Sequence, residues 1–285
     1  MTIKREALAS VVPLSTSQIS AFKPFTFFAG AAHCPPTTLI NWSCGVYCNA
    51  HPNFQPEAAG GDDSDTPFWF VGFDPSSQNV VIGHEGTDFS QIKSVLTDAD
   101  IIKTSLDGSL FPGISSSVEV HQGFADAHAR SASDILVAVK STLSKNPGAS
   151  VALVGHSLGG ALALLDAVFL PLHLPAGTKF TTITYGMPRV GNQAFADYVD
   201  AHVTNLSHIN NKKDPVPILP GEFLGFHHPS GEIHIQSDGS WDSCSGQDNT
   251  SKLCEVGDVP NIFVADADDH MGPYDGLSLG LDCTQ

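Results

Sequence analysis

The chain has 285 residues, with 30 acidic and 13 basic side chains and a formal charge of −17. That balance repels phosphate backbones and anionic membrane surfaces, so no nucleic-acid partner is expected, while the length suits a single domain (1–285) with one large core. A run of about 18 apolar residues, as a transmembrane segment needs, is absent, because residues 161–174 are interrupted by Asp166 and Pro171.

The first residues, Met-Thr-Ile-Lys-Arg-Glu-Ala, lack the apolar stretch of a signal peptide, and Lys4-Arg5 resembles a dibasic processing site. Residues 1–15 are expected to be flexible or expression-derived. Ile19, Phe22, Phe25 and Phe28 recur at helical spacing and predict a helix over 18–32 despite Pro24. Loops rich in Pro, Gly and Asp are expected from there to Thr66. Strands are predicted at 68–73 and 79–83, joined by a turn through Asp74-Pro75-Ser76-Ser77. A helix over 124–145 carries Ile135, Leu136, Val139 and Leu143 on one stripe and stops at Asn146-Pro147-Gly148. A buried strand at 150–154 and a buried helix at 158–170 follow, then strands at 179–185 and 206–210 around a helix at 193–202, and another strand at 232–236. Strands alternating with helices predict an α/β fold with a mostly parallel sheet.

Six cysteines fall in two groups, Cys34, Cys44 and Cys48, then Cys244, Cys254 and Cys283. The even count favours disulfides, and with no C-x-x-C pair no metal and no cofactor is expected. Asn41, Asn205 and Asn249 head three sequons, which would be glycosylation acceptors on a secreted chain.

Gly155-His156-Ser157-Leu158-Gly159 places a serine between glycines where the strand at 150–154 meets the helix at 158–170. Such a turn strains the serine backbone and lifts its hydroxyl above the sheet edge, and larger residues at Gly155 or Gly159 would collide there. Ser157 is therefore a candidate nucleophile. A serine hydroxyl needs an imidazole to take its proton and a carboxylate to orient that imidazole. Asp214 follows the predicted strand at 206–210, stiffened by Pro215 and Pro217. His270 is the last histidine and a candidate base, with His227, His228 and His234 as competitors. Asp269 is disfavoured as the acid because a chain neighbour cannot readily reach the correct ring nitrogen.

Gly155 to Gly160, Tyr185-Gly186-Met187-Pro188-Arg189-Val190-Gly191-Asn192, Asp214-Pro215-Val216-Pro217, Val120-His121-Gln122-Gly123-Phe124 and Asp269-His270 occur in the order and rough spacing of the fungal class 3 lipases, which this chain resembles from about Ile19 to Cys283. The resemblance implies an α/β-hydrolase with a central, mostly parallel sheet, Ser157, Asp214 and His270 as triad, and His228 as a structural partner. It implies disulfides Cys34–Cys283, Cys44–Cys48 and Cys244–Cys254, and secretion. Its oxyanion hole would use the Leu158 backbone N–H and Thr87, in a turn where His84-Glu85 replaces the usual Phe-Arg. It further implies a short lid helix over 88–96, where Phe89, Ile92, Val95 and Leu96 share one face. The activity implied is that of a secreted serine ester hydrolase, acting as a monomer on acylglycerols at an oil–water interface. A feruloyl esterase on the same scaffold is the alternative, and a non-catalytic binding module is the third reading.

Overall fold

Apolar side chains on both faces of consecutive strands demand helices on both sides of a sheet, and this is the arrangement found. The structure, a computed structural model, describes residues 10–87, 92, 101–280 and 283. In chain order the strands are Val11–Pro13 (β1), Gln55–Gly60 (β2), Trp69–Asp74 (β3), Asn79–His84 (β4), Lys103–Ser105 (β5), Glu119–His121 (β6), Ser150–His156 (β7), Phe180–Tyr185 (β8), Leu206–Asn211 (β9), Glu232–Ile235 (β10) and Trp241–Cys244 (β11). The large sheet has the order β1-β11-β10-β9-β8-β7-β4-β3-β2. Its centre, β10-β9-β8-β7-β4, is parallel, and antiparallel pairs extend it on both sides.

The helices are Thr16–Ser20 (α1), Lys23–Ala31 (α2), Pro36–Ile40 (α3), Gly45–Asn49 (α4), Gln122–Lys145 (α5), Leu158–Phe169 (α6), Gln193–His202 (α7) and Glu255–Asp258 (α8). Side chains of the central strands alternate between faces. Val80, Ile82, Val151 and Leu153 pack with α5 and α6, whereas Val81, Ala152 and Val154 pack on the other face with Phe28 of α2 and Tyr47 of α4.

Three expectations are corrected. The helix over 18–32 is two helices parted at Ala21 and Phe22, with Pro24 in the first turn of α2, where no intrahelical N–H is needed. The stretch expected to be loop up to Thr66 contains α3, α4 and the edge strand β2. Within 1–15, Val11–Pro13 is not loose but pairs with β11; residues 1–9 lie outside the described residues. The cysteines pair as Cys34–Cys283, Cys44–Cys48 and Cys244–Cys254. Among the described residues no helix is long and apolar enough to cross a membrane.

Parallel strands all end at the same edge, so the residues just beyond β4, β7, β8 and β9 gather there. Ser157 follows β7 and Asp214 follows β9.

Candidate active site

Ser157 sits at φ 55°, ψ −125°, between the last residue of β7 and the first of α6. A non-glycine residue in that region is strained and is held only by a surrounding that over-determines it. The surrounding is backbone in close approach: a Cβ on Gly155 would lie 2.0 Å from the Gly159 carbonyl oxygen, and one on Gly159 would lie 2.2 Å from that of His84. Ser157 N–H donates to the Tyr185 carbonyl at 2.9 Å, tying the turn to β8. The Ser157 hydroxyl is buried and makes no hydrogen bond among the described residues.

Asp214 and His270, 56 positions apart, meet at 2.8 Å through Oδ2 and Nδ1, and both are fully buried. The carboxylate fixes the proton on Nδ1, which leaves Nε2 with its lone pair. Asp214 Oδ1 accepts from Val216 N–H at 2.9 Å, so the carboxylate cannot swing. His156, the residue before Ser157, donates from Nε2 to the His270 carbonyl at 2.9 Å, and the two rings lie 4.4 Å apart. The Tyr274 hydroxyl donates to the same carbonyl at 3.1 Å. The His33 ring lies 5.3 Å from that of His156 between centroids. Burial, reinforced by the nearby His270, lowers His33 to about 4 and His156 well below the usual histidine range. Both stay neutral at pH 7 and add no positive charge behind His270.

The competing histidines serve the frame. His228 Nε2 donates to the Pro217 carbonyl at 2.8 Å and so tethers the segment after Asp214, as the resemblance implied. Its ring stacks on His208 at 4.9 Å, and burial lowers His228 to about 3 and His208 to about 4. His227 faces Asp248 at 3.1 Å, and His234 donates to the Lys212 carbonyl at 2.8 Å. Asp269 binds Lys212 Nζ and the Lys213 N–H instead of an imidazole.

Leu158 opens α6, so its N–H has no intrahelical acceptor. Thr87 is half-buried, three residues past His84. Glu85, at the position where the resembling turns carry Arg, accepts from the Phe68 N–H at 2.6 Å, and burial raises it to about 7. Of the lid face, Ile92 is helical and buried in the cluster around α5 and α6; Phe89, Val95 and Leu96 lie outside the described residues. Asn249 is corrected as a glycosylation candidate: it is buried, its amide nitrogen donates to Ser245 O, and its oxygen accepts from Ser251 N–H. Asn41 and Asn205 are exposed.

Glu232, at the start of β10, is buried and accepts from the Glu255 N–H at 2.6 Å; burial raises it from 4.5 to about 7. The folded state thus holds this proton more tightly than the unfolded chain. Its stabilising effect is whole below pH 4.5 and is lost as pH rises to about 7. Glu232→Gln should be more stable than the parent by about 3 kcal/mol at pH 8 and equal to it at pH 4, read from urea midpoints. Equal midpoints at pH 8 would show that the carboxylate ionises there without penalty.

A cavity of about 850 Å³ lies between Lys140, Leu143, Leu174 and Lys179, near the opposite ends of β7 and β8 from Ser157, and is no part of this constellation.

The sequence profile of the class 3 lipases matches residues 81–224. Secreted mono- and diacylglycerol lipase MDL4 of Malassezia globosa is 30% identical over 248 residues, 82% of this chain and 79% of that one. MDL2 of the same organism, also described as a secreted mono- and diacylglycerol lipase, is 30% identical over 211 residues, 73% of this chain and 67% of its own length. A solved triacylglycerol lipase, described as having a serine-protease triad as its catalytic centre, superposes with a TM-score of 0.81 at 27% identity, covering 96% of this chain and 100% of that one.

Proposed function

Because this chain belongs to the class 3 lipase family, we propose that it is a secreted serine ester hydrolase that cleaves acylglycerols, with Ser157, His270 and Asp214 as its catalytic residues. His270 Nε2 takes the Ser157 proton as Oγ attacks the ester carbonyl. The oxyanion so formed is met by the N–H groups of Leu158 and Thr87. Collapse breaks the ester C–O bond, and the protonated His270 gives its proton to the departing glyceride alcohol. Water, deprotonated by the same imidazole, then resolves the acyl-serine to a free fatty acid. The Ser157 side chain turns toward Nε2 when substrate fills the site, since such contacts tighten in the bound complex.

The observation that carries this reading is the buried His270–Asp214 pair at 2.8 Å, joined through His156 to the next residue, a serine held at positive φ. A second observation favours a lipid over a soluble aryl ester. Phe223 and Phe263 are 90% and 92% exposed, on segments that follow Asp214 and precede His270 and that border an apolar cavity of about 560 Å³. Bare phenyl groups beside such a cavity suit an oily surface. The test is hydrolysis of mono-, di- and triglycerides of mixed chain length beside methyl ferulate. Glycerides should be turned over faster; a preference for ferulate overturns the lipase reading.

A further inference from the structure

A buried carboxylate lies beneath the site that the chemistry above does not use. Asp166, two turns into α6, is fully buried between two histidines. Its Oδ2 lies 2.7 Å from His84 Nε2 at the end of β4, and its Oδ1 lies 2.9 Å from His128 Nε2 on α5. Burial pushes the Asp166 carboxyl up, but the bonds from His128 and His84 outweigh it and leave the group at about 2, ionised at any working pH. Each ring therefore donates from Nε2. The setting is apolar, with the Phe111 and Phe169 rings 5.5 and 5.3 Å from that of His128. Three apolar side chains would fill this space without the cost of desolvating a charge. What the bonds add is direction.

We infer that Asp166, acting through His84, is a positioning residue for the oxyanion-binding turn. This rests on the ester-hydrolase reading. Two contacts hold the end of β4 against α6. One is the backbone packing of Gly159 on the His84 and Glu85 carbonyls; the other is the Asp166–His84 bond, seven residues or about 10 Å further along the helix. Contacts at two separate heights fix both the shift and the rotation of the helix relative to the strand. The N–H of Leu158 at the helix start and that of Thr87 after the strand end are thereby set against each other. Donors to an oxyanion must be placed within a few tenths of an ångström, so slack at His84 lowers the rate more than it weakens binding. His128 bonds the same carboxylate from α5, away from the turn, and provides the internal control.

His84→Phe and His128→Phe each remove one bond to Asp166. Both should lower the thermal midpoint. His84→Phe should also lower kcat by about tenfold or more with KM within twofold, and slow phosphonate labelling of Ser157 by a similar factor, whereas His128→Phe should leave both within twofold. His84→Gln, whose amide can still donate to Asp166, should recover most of kcat. If His84→Phe does not fold, His84→Asn, too short to reach, takes its place. Equal kcat for the two histidine variants, or an unchanged kcat in His84→Phe, overturns the inference. A parent enzyme that hydrolyses no ester would instead overturn the reading on which it rests.

Discussion

Ser157→Ala should fold like the parent and lose ester turnover by about 10⁵-fold or more in kcat, because no other group stands at the strand-to-helix turn to form the acyl intermediate. The side chain is buried but makes no hydrogen bond among the described residues, so deleting the hydroxyl strips no partner and the thermal midpoint should move by little. Residual activity from donors and binding alone stays on the order of 10³-fold above the uncatalysed reaction. Turnover within tenfold of the parent would mean that another residue carries the acyl group.

Asp214→Asn should lower kcat by about 10⁴-fold with KM little changed. The geometry gives the reason. Oδ1 is committed to the Val216 N–H, so the asparagine oxygen takes that place and its NH₂ turns to His270 Nδ1. The ring must then accept at Nδ1 and carry its proton on Nε2, the wrong tautomer for taking one from Ser157. Steady-state kinetics on a short-chain glyceride reads both parameters. A loss under tenfold, or an equal loss in Asp269→Asn, would remove Asp214 from the role given to it, since Asp269 is occupied by Lys212 and Lys213.

The centre of the fold was legible because its signals are local and repeated. Val151–Val154 and, but for Asp166, the helix at Leu158–Phe169 are apolar runs on either side of Gly155-His156-Ser157, and a sheet buried on both faces writes such runs. Asp214 could be placed because it follows a strand by three residues between a polar run and two prolines. His270 could not be separated from its rivals by composition. Only motif order singled it out, and the difference lies in what each ring meets in space. The edge strands were missed for a physical reason. Val11–Pro13 and Gln55–Gly60 each hold a proline, and the second has no large apolar side chain and is only half-buried, so neither alternates cleanly, and pairing with β11 and β3 decides them. The His84–Asp166–His128 cluster was invisible because its members lie 82 and 38 positions apart on three elements, and each alone reads as an ordinary polar residue. The departure at His84-Glu85 was its one trace in the sequence.

The most direct single measurement is a crystal structure of the enzyme after reaction with an alkyl phosphonate ester, which captures the geometry of the tetrahedral intermediate. Phosphorus should be bonded to Ser157 Oγ, with one phosphonyl oxygen about 3 Å from the N–H groups of Leu158 and Thr87, and His270, still paired with Asp214, facing the Oγ or alkoxy oxygen. Phosphorus on any other residue, or a Ser157 adduct from which His270 and Asp214 stand apart, would contradict the assignment of this serine, histidine and aspartate to one reaction.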